Sequence, residues 1–123
     1  DCSDYTAPQR ELGAHVAPLG LMFYTGGQFP EHYRGHLFVA EHGSWNRSKK
    51  AGYRVMLVKL KDGEPVSYEP FAEGWLQNQS VSGRPVDLLQ LADGSMLVSD
   101  DFSGKLYRIS YQTPIINNTV IYE

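Results

Sequence analysis

The chain has 123 residues, of which 41% are hydrophobic and 20% charged, with a formal net charge of -3 at pH 7. This length fits one domain, and the negative charge argues against a general nucleic-acid binder, because such domains carry a basic field. No apolar run approaches the roughly 18 residues of a membrane span, no signal peptide is evident, and the single cysteine, Cys2, excludes an internal disulfide.

The first half of the chain reads as a series of strands. Twelve Gly, seven Pro and eight Tyr favour strands and turns over helices. Alternating apolar positions between Gly turns predict strands within residues 18–26, 35–42, 52–63 and 66–72. The Asp62-Gly63 pair is a hairpin signal between the last two. Only residues 73–79 have a pattern that could form a helical turn.

The second half of the chain repeats this order. Residues 85–94 resemble residues 18–26, since both begin with Pro and end at a Gly turn. Residues 94–101 then resemble residues 35–42. Residues 104–111 likewise match the start of 52–63. The shared order is strand, Gly turn, strand, polar loop, strand.

This repeat predicts an all-β fold of consecutive antiparallel four-stranded meanders, with blade-like units at about residues 14–75 and 84–111. Such repeats are typical of β-propellers, which need about four to eight blades to close the ring. Two blades leave faces and edges uncovered. We therefore expect residues 1–123 to be a partial propeller, either a fragment or one part of a larger assembly. Residues 112–123 are expected to be a tail or a strand that closes the ring.

A candidate site follows from the propeller geometry. The loops that lead into the first strand of each blade gather at one face, and the loop after the second strand returns to that face. The side chains expected to converge there are His15, His42, Trp45, Asn46, Arg47 and Arg84. They suit an anionic, planar ligand, because Arg pairs with carboxylates and aromatic rings stack.

Most of these candidates also have a purely structural interpretation. His15 could bond a backbone carbonyl in its turn, and His42 could form a local polar pair with Glu41. Trp45 could anchor its loop by packing on a neighbouring blade. Arg47 could belong to a solvated basic loop. These alternatives stay open at the level of sequence.

Arg84 is the strongest candidate, because it stands directly before the Pro of a predicted strand and has no evident packing role. Asp87 could hold its guanidinium or cap a turn. The Ser-Asp-Asp sequence at 99–101 could bind a cation, but acidic turns are common in propeller blades.

Three motifs give the chain a resemblance to a known family. "HVAPLG" (residues 15–20), "AEHGSWNR" (40–47) and "GRPVD" (83–87) resemble the C-terminal part of the glucose/sorbosone dehydrogenase family. The branch that resembles the chain is the L-sorbosone dehydrogenase-like sugar dehydrogenases, which depend on pyrroloquinoline quinone (PQQ). The resemblance covers roughly residues 11–111.

The resemblance implies a six-bladed propeller that binds PQQ and calcium at its centre and oxidises the C1 hydroxyl or hydrated aldehyde of a sugar. It places Arg84 where the family pairs an Arg with a PQQ carboxylate, although a second family Arg is replaced by Val86. Arg47 stands in a loop from which the family supplies a Lys, and His15 falls over the pocket. The cofactor contacts expected are Arg84, Arg47, His15, Trp45 and His42.

The same resemblance places the catalytic His and the calcium ligands in earlier blades, and no His of this chain matches that base. The expectation is therefore a C-terminal part of a PQQ-dependent sugar dehydrogenase, inactive alone. The partners implied are the rest of the propeller, a sugar or aldehyde substrate and an electron acceptor, in the periplasm or outside the cell. One alternative is a non-catalytic segment that binds carbohydrate or protein. Another is a lactonase-like hydrolase. The sequence argues against it, because Arg84 and Arg47 would repel the metal ion that such a hydrolase needs.

Overall fold

The computed structural model describes residues 1–113, so the tail or closing strand expected at 112–123 lies, from residue 114 onward, outside the described residues. The strands in the described part are β1 (Pro18–Phe23), β2 (Leu37–Glu41), β3 (Arg54–Lys61), β4 (Glu64–Ala72), β5 (Leu76–Gln77), β6 (Ser80–Val81), β7 (Pro85–Gln90), β8 (Met96–Asp100) and β9 (Lys105–Ile109). Short 3-10 turns occupy Cys2–Asp4 and Glu31–Tyr33. Among residues 1–113 there is no helix of the length and apolarity that crossing a membrane requires.

The strands form a four-stranded sheet in the order β1-β2-β3-β4, a β5-β6 hairpin and a three-stranded sheet in the order β7-β8-β9. Every strand pair is antiparallel. The predicted all-β class is thus confirmed. The hairpin signal is also confirmed, since Asp62 and Gly63 alone join β3 to β4 with φ values of 53° and 84°.

The helical turn that the pattern of residues 73–79 would allow does not form. Leu76–Gln77 and Ser80–Val81 pair instead as a hairpin. Its two loop residues, Asn78 and Gln79, have φ values of 48° and 66°. Two left-handed residues in succession make the turn that matches the twist of antiparallel strands, and the stretch is too short to stabilise a helix.

The two larger sheets repeat one another in register. Pro18 pairs with Glu41 as Pro85 pairs with Asp100, and an irregularity follows the Pro in both first strands. Each third strand is preceded by a left-handed residue, at positions 53 (φ 61°) and 104 (φ 65°). The sequence comparison matches residue 104 with residue 52. The structure shows that residue 104 is equivalent to residue 53, so the predicted alignment of the third strands is wrong by one residue.

One apolar cluster joins the two larger sheets. The four-stranded sheet contributes Tyr24, Phe38, Ala40, Val55 and Leu57, and the other side contributes Trp75, Leu88, Met96 and Val98. Burial of a large apolar side chain stabilises a fold by about 1.5–3 kcal/mol. The seam between the sheets is therefore part of the hydrophobic core.

Tyr24 adds polar contacts to this seam. Its buried hydroxyl donates to the carbonyl of Gly94, 2.8 Å away in the turn between β7 and β8. The same oxygen accepts from the backbone N–H groups of Gln28 and Phe29. One hydroxyl thus satisfies three backbone groups from both sides of the seam.

Each second strand ends in a buried carboxylate. Glu41 is fully buried and accepts from Arg54 Nε at 2.8 Å and from the Tyr68 hydroxyl. Burial raises the pKa of Glu41 above its usual value, although Arg54 acts in the opposite direction. The equivalent Asp100 has no Arg partner among the described residues and accepts from backbone N–H groups and hydroxyls instead, so the two positions share burial but differ in counter-charge.

Asp100 organises the chain around the end of β8. Its Oδ1 accepts from the N–H groups of Arg84, Phe102 and Ser103, and its Oδ2 accepts from Ser103 Oγ and the Tyr107 hydroxyl. Burial alone would raise the pKa of Asp100, but these hydrogen bonds outweigh it and lower the pKa to about 2. The ionised carboxylate is therefore the form that the fold stabilises.

Replacing Tyr24 by Phe is expected to lower the free energy of unfolding by about 1–3 kcal/mol, because one carbonyl and two N–H groups lose a buried partner. Urea denaturation followed by circular dichroism measures this change. The control is Tyr5→Phe, at an exposed tyrosine, which should leave stability unchanged. Equal midpoints for the two variants would contradict the role given to Tyr24.

Asp100→Asn is expected to remove a stabilisation that depends on pH. Because the folded pKa of about 2 lies below the ordinary 3.8, the carboxylate stabilises the fold above pH ~4, by about 2 kcal/mol. This contribution is lost as the pH falls from about 4 to about 2. The stability difference between wild type and Asp100→Asn should therefore shrink over that interval in urea titrations.

Wild type and Asp100→Asn both contain Glu41, whose pKa is shifted in the opposite direction. Its effect on stability therefore cancels when the unfolding free energy of one is subtracted from that of the other. Asp62→Asn, in the exposed turn between β3 and β4, is the matched control and should stay parallel to wild type. A difference between wild type and Asp100→Asn that does not change with pH would show that the charge is not what Asp100 contributes.

Candidate functional site

The segments that lead into β1 and β7 meet beside the loop that follows β2. There they enclose an open cavity of about 530 Å³. Its lining consists of His15, Ala17, His42, Gly43, Trp45 and Arg84. Four of the five predicted cofactor contacts thus lie around one concavity, which both larger sheets help to build.

The loop after β2 is held against the segment before β1 by backbone hydrogen bonds. The N–H of His42 donates to Ala17 O and the N–H of Gly43 donates to Val16 O, both at 2.9 Å. The loop closes on itself where Ser44 N donates to the carbonyl of residue 51 at 2.8 Å. The sequence correctly placed this loop beside His15.

Arg84 reaches across the seam to this loop. Its Nε donates to His42 O at 3.0 Å and its Nη2 to Gly43 O at 2.8 Å. Its guanidinium carbon lies 5.5 Å from the ring centre of Tyr53, in cation–π range. The expectation that Arg84 has no packing role is therefore wrong, because it joins the two sheets.

The guanidinium of Arg84 keeps donors for a ligand. Within the described residues no carboxylate lies at ion-pair distance from it, and Nη1 makes no hydrogen bond. Asp87 does not hold it: no ion pair joins the two side chains among the described residues, and Asp87 Oδ1 accepts from the N–H of Leu88. A half-buried cation without a counter-charge is a natural partner for an anion.

The backbone before Arg84 is fixed as firmly as its side chain. The N–H of Arg84 donates to Asp100 Oδ1 at 2.9 Å. Gly83 packs so closely on Asp100 and Trp75 that a Cβ would collide with both. The close approach of these groups thus requires glycine at position 83.

His42 is oriented from the other sheet. Its Nε2 donates to Asp101 Oδ1 at 2.9 Å, and its side chain is 18% exposed. The local pair of His42 with Glu41 that the sequence left open does not form, because Glu41 pairs with Arg54. Successive positions on one strand point to opposite faces, which separates these neighbours.

His15 and Trp45 are the exposed members of the set. His15 has a left-handed backbone with φ of 65°, and its ring makes no hydrogen bond to the described residues. Trp45 as a residue is 81% exposed, so it does not anchor its loop by packing on the rest of the described chain. Both side chains face solvent at the rim of the cavity.

Arg47 and Asn46 do not line the cavity. Arg47 is exposed, and its Nη1 donates to Ala14 O at 3.1 Å. It braces the loop against the segment before β1 rather than facing a ligand. Asn46 supplies a left-handed residue with φ of 49° to the same loop. The predicted role of Arg47 as a cofactor contact has no geometric support.

From the sequence, Asp100 and Asp101 are considered only for cation binding, and Tyr53 is given no role, although all three shape the site. The repeat contained a signal for Asp100, since it aligns with the strand-end Glu41. Nothing local indicated that Asp101 would orient a His 59 residues away. No group of three or more His, Cys, Asp or Glu side chains able to hold a metal ion occurs within residues 1–113.

The curated proteins that resemble the chain come from two organisms. A protein of Borreliella burgdorferi that carries no assigned function is 48% identical over 105 residues, covering 83% of this chain and 28% of its own. The PQQ-dependent pyranose dehydrogenase of Coprinopsis cinerea is 35% identical over 130 residues, covering 89% of this chain and 17% of its own. The chain therefore spans less than a third of the length of these relatives.

A solved structure has the same fold. The holo form of the pyranose dehydrogenase PQQ domain from Coprinopsis cinerea superposes with a TM-score of 0.62 at 29% identity, over 79% of this chain and 27% of that domain. The TrAA12-like family model matches residues 1–112. Since this match includes both larger sheets and every residue that lines the cavity, the chain belongs to the TrAA12-like family.

Proposed function

We propose that the chain is part of a PQQ-dependent sugar oxidoreductase, to which it contributes cofactor contacts and a wall of the substrate pocket. The observation that carries this proposal is the half-buried guanidinium of Arg84, which lacks a carboxylate partner among the described residues. The relative with pyranose dehydrogenase activity supports it. Because the chain spans a minor part of that relative, the activity belongs to the larger assembly.

The cavity fits PQQ on chemical grounds. PQQ is a planar quinone that carries three carboxylates, and when bound it accepts two electrons from the substrate. Arg84 would pair with one carboxylate through Nη1, while its bonds to the carbonyls of His42 and Gly43 keep the fork oriented. His42 and His15 line the same cavity and would offer further polar contacts. Calcium and the catalytic base would come from other parts of the propeller.

The two larger sheets are proposed to be neighbouring blades of a six-bladed propeller. Each keeps an apolar outer face, with Leu21 and Phe23 exposed on one and Leu89 and Leu106 on the other. In the repeat, Leu89 is equivalent to Met22 and Leu106 is equivalent to Val55. Met22 and Val55 pack in the seam between the two sheets, whereas Leu89 and Leu106 are exposed. This indicates that a further sheet packs on each outer face.

The proposed function also implies an electron acceptor, a substrate and a cellular location. An electron acceptor must reoxidise the cofactor, and the substrate is a sugar or its aldehyde. A periplasmic or extracellular location suits such an enzyme.

The cofactor assignment predicts that Arg84→Ala weakens PQQ binding. Loss of a charge-assisted pair of about 1.5–3 kcal/mol corresponds to a roughly ten- to hundred-fold higher Kd. Isothermal titration of the chain with PQQ measures it. Arg84→Lys, which keeps the charge but not the fork, should fall in between.

The matched control is Arg34→Ala, since Arg34 also donates to a backbone carbonyl, that of Gly26, at a position remote from the cavity. It should bind PQQ like wild type. Circular dichroism melts show that each variant is folded before titration. Equal affinity for wild type and folded Arg84→Ala would contradict the assignment, as would the absence of any binding by wild type.

Activity requires the complete ring, so the dehydrogenase function is tested in a chimera. In the Coprinopsis cinerea pyranose dehydrogenase, this chain replaces the segment with which it aligns. With PQQ and calcium added, dye-linked pyranose oxidation should persist, and Arg84→Ala in the chimera should lower it at least roughly tenfold. A folded, PQQ-binding chimera without activity would favour the non-catalytic alternative.

A further inference from the structure

Trp45 is a large aromatic side chain held in the open by a firmly anchored loop. The residue is 81% exposed. On one side, Gly43 N bonds Val16 O and Ser44 N bonds the carbonyl of residue 51. On the other side, Arg47 bonds the carbonyl of residue 14. The backbone that carries the indole is thus fixed before any ligand arrives.

The anchoring extends into the core. Ser44 Oγ accepts from the N–H of Ala51, and the carbonyl of Ser44 accepts from the buried hydroxyl of Tyr53. Ser44 is itself buried. A loop tied down in this way loses little further entropy when a ligand binds, so contact with the indole contributes almost fully to affinity.

The other tryptophan shows what a structural indole looks like in this fold. Trp75 is 9% exposed, belongs to the main apolar cluster and lies edge-on to the Tyr107 ring at 5.4 Å. Trp45 has no ring partner among residues 1–113. Within residues 1–113 its surface is left uncovered beside the cavity that it lines.

Depth within the cavity separates the two ligands that the site would hold. Arg84 is half-buried and the His42 side chain is 18% exposed, whereas Trp45 stands at the rim. A resident cofactor occupies the deep positions, and an exchangeable substrate must enter and leave over the rim. The side chains at the rim therefore meet the substrate, and Trp45 is the large aromatic one.

We propose that Trp45 is a stacking platform for the pyranose ring of the substrate, rather than a contact of the quinone. This rests on the proposed function. A pyranose presents a face of C–H groups that packs on the negative face of an indole, while its hydroxyls stay free for polar neighbours. His15, an exposed polar residue of the cavity lining, supplies such a neighbour.

The test follows the two indole N–H resonances in ¹H–¹⁵N spectra of the chain saturated with PQQ, assigned with Trp45→Phe. D-glucose is the ring probe, and sorbitol, with similar hydroxyls but no ring, is the matched control. Glucose should shift the Trp45 resonance in a saturable manner and leave Trp75 in place. Sorbitol should have little effect.

Trp45→Ala should weaken glucose binding roughly five- to tenfold, in line with the value of an aromatic contact, and Trp45→Phe should restore part of it. Leu106→Ala, at an exposed apolar residue outside the cavity, should bind like wild type. Binding in the alanine variant is followed through backbone resonances of residues 42–44.

The proposal is overturned if glucose leaves Trp45 unmoved while PQQ shifts it, if sorbitol acts like glucose, or if Trp45→Ala binds glucose as wild type does. If the chain binds glucose at Trp45 but does not bind PQQ, the proposed function is overturned, whereas the role of Trp45 in stacking on a sugar ring is retained. The two failures are thus distinguishable.

Discussion

The site depends on how closely the first strands of the two larger sheets approach each other. Gly20 in β1 lies against Asp87 in β7, and a Cβ at position 20 would stand 2.5 Å from Asp87 Oδ1 and 2.6 Å from Asp87 Cα. The repeat places these two residues at equivalent positions, and the close approach of the strands requires glycine at position 20. With a larger residue the strands would separate, and Arg84 would no longer reach the carbonyls of the loop after β2.

The backbone around the cavity is conformationally costly. His15, Ala17, Asn46 and Tyr53 all have left-handed φ values between 49° and 65°. Each such residue costs on the order of 1 kcal/mol when it is not glycine. The hydrogen bonds between the segment before β1 and the loop after β2 offset this cost. Strain held by surrounding contacts is common where a protein positions a ligand.

The sequence predicted the all-β class, the repeat and the meeting of two loops, because strand periodicity and Gly turns are local properties. It also identified His15, His42, Trp45 and Arg84 as one group, since the repeat fixes where each loop returns. It failed for the hairpin at 76–81, whose turn depends on two left-handed residues with no glycine. Without its own local pattern, that hairpin could not be told from a helical turn.

Long-range polar contacts could not be predicted from the sequence for a different reason. Asp101 and His42 are 59 residues apart, and nothing in either segment specifies the other. Arg47 has the right charge and the right loop, yet its side chain turns to Ala14 O. Side-chain direction within a loop depends on the whole fold, which composition and spacing do not contain.

His42 contacts its surroundings through three separate groups. Its N–H bonds Ala17, its carbonyl accepts from Arg84, and its ring bonds Asp101. Two of these contacts belong to the backbone and persist whatever side chain the position carries. Evolution can therefore exchange the ring, and with it the chemistry offered to a ligand, while the joint between the sheets and the orientation of Arg84 are inherited unchanged.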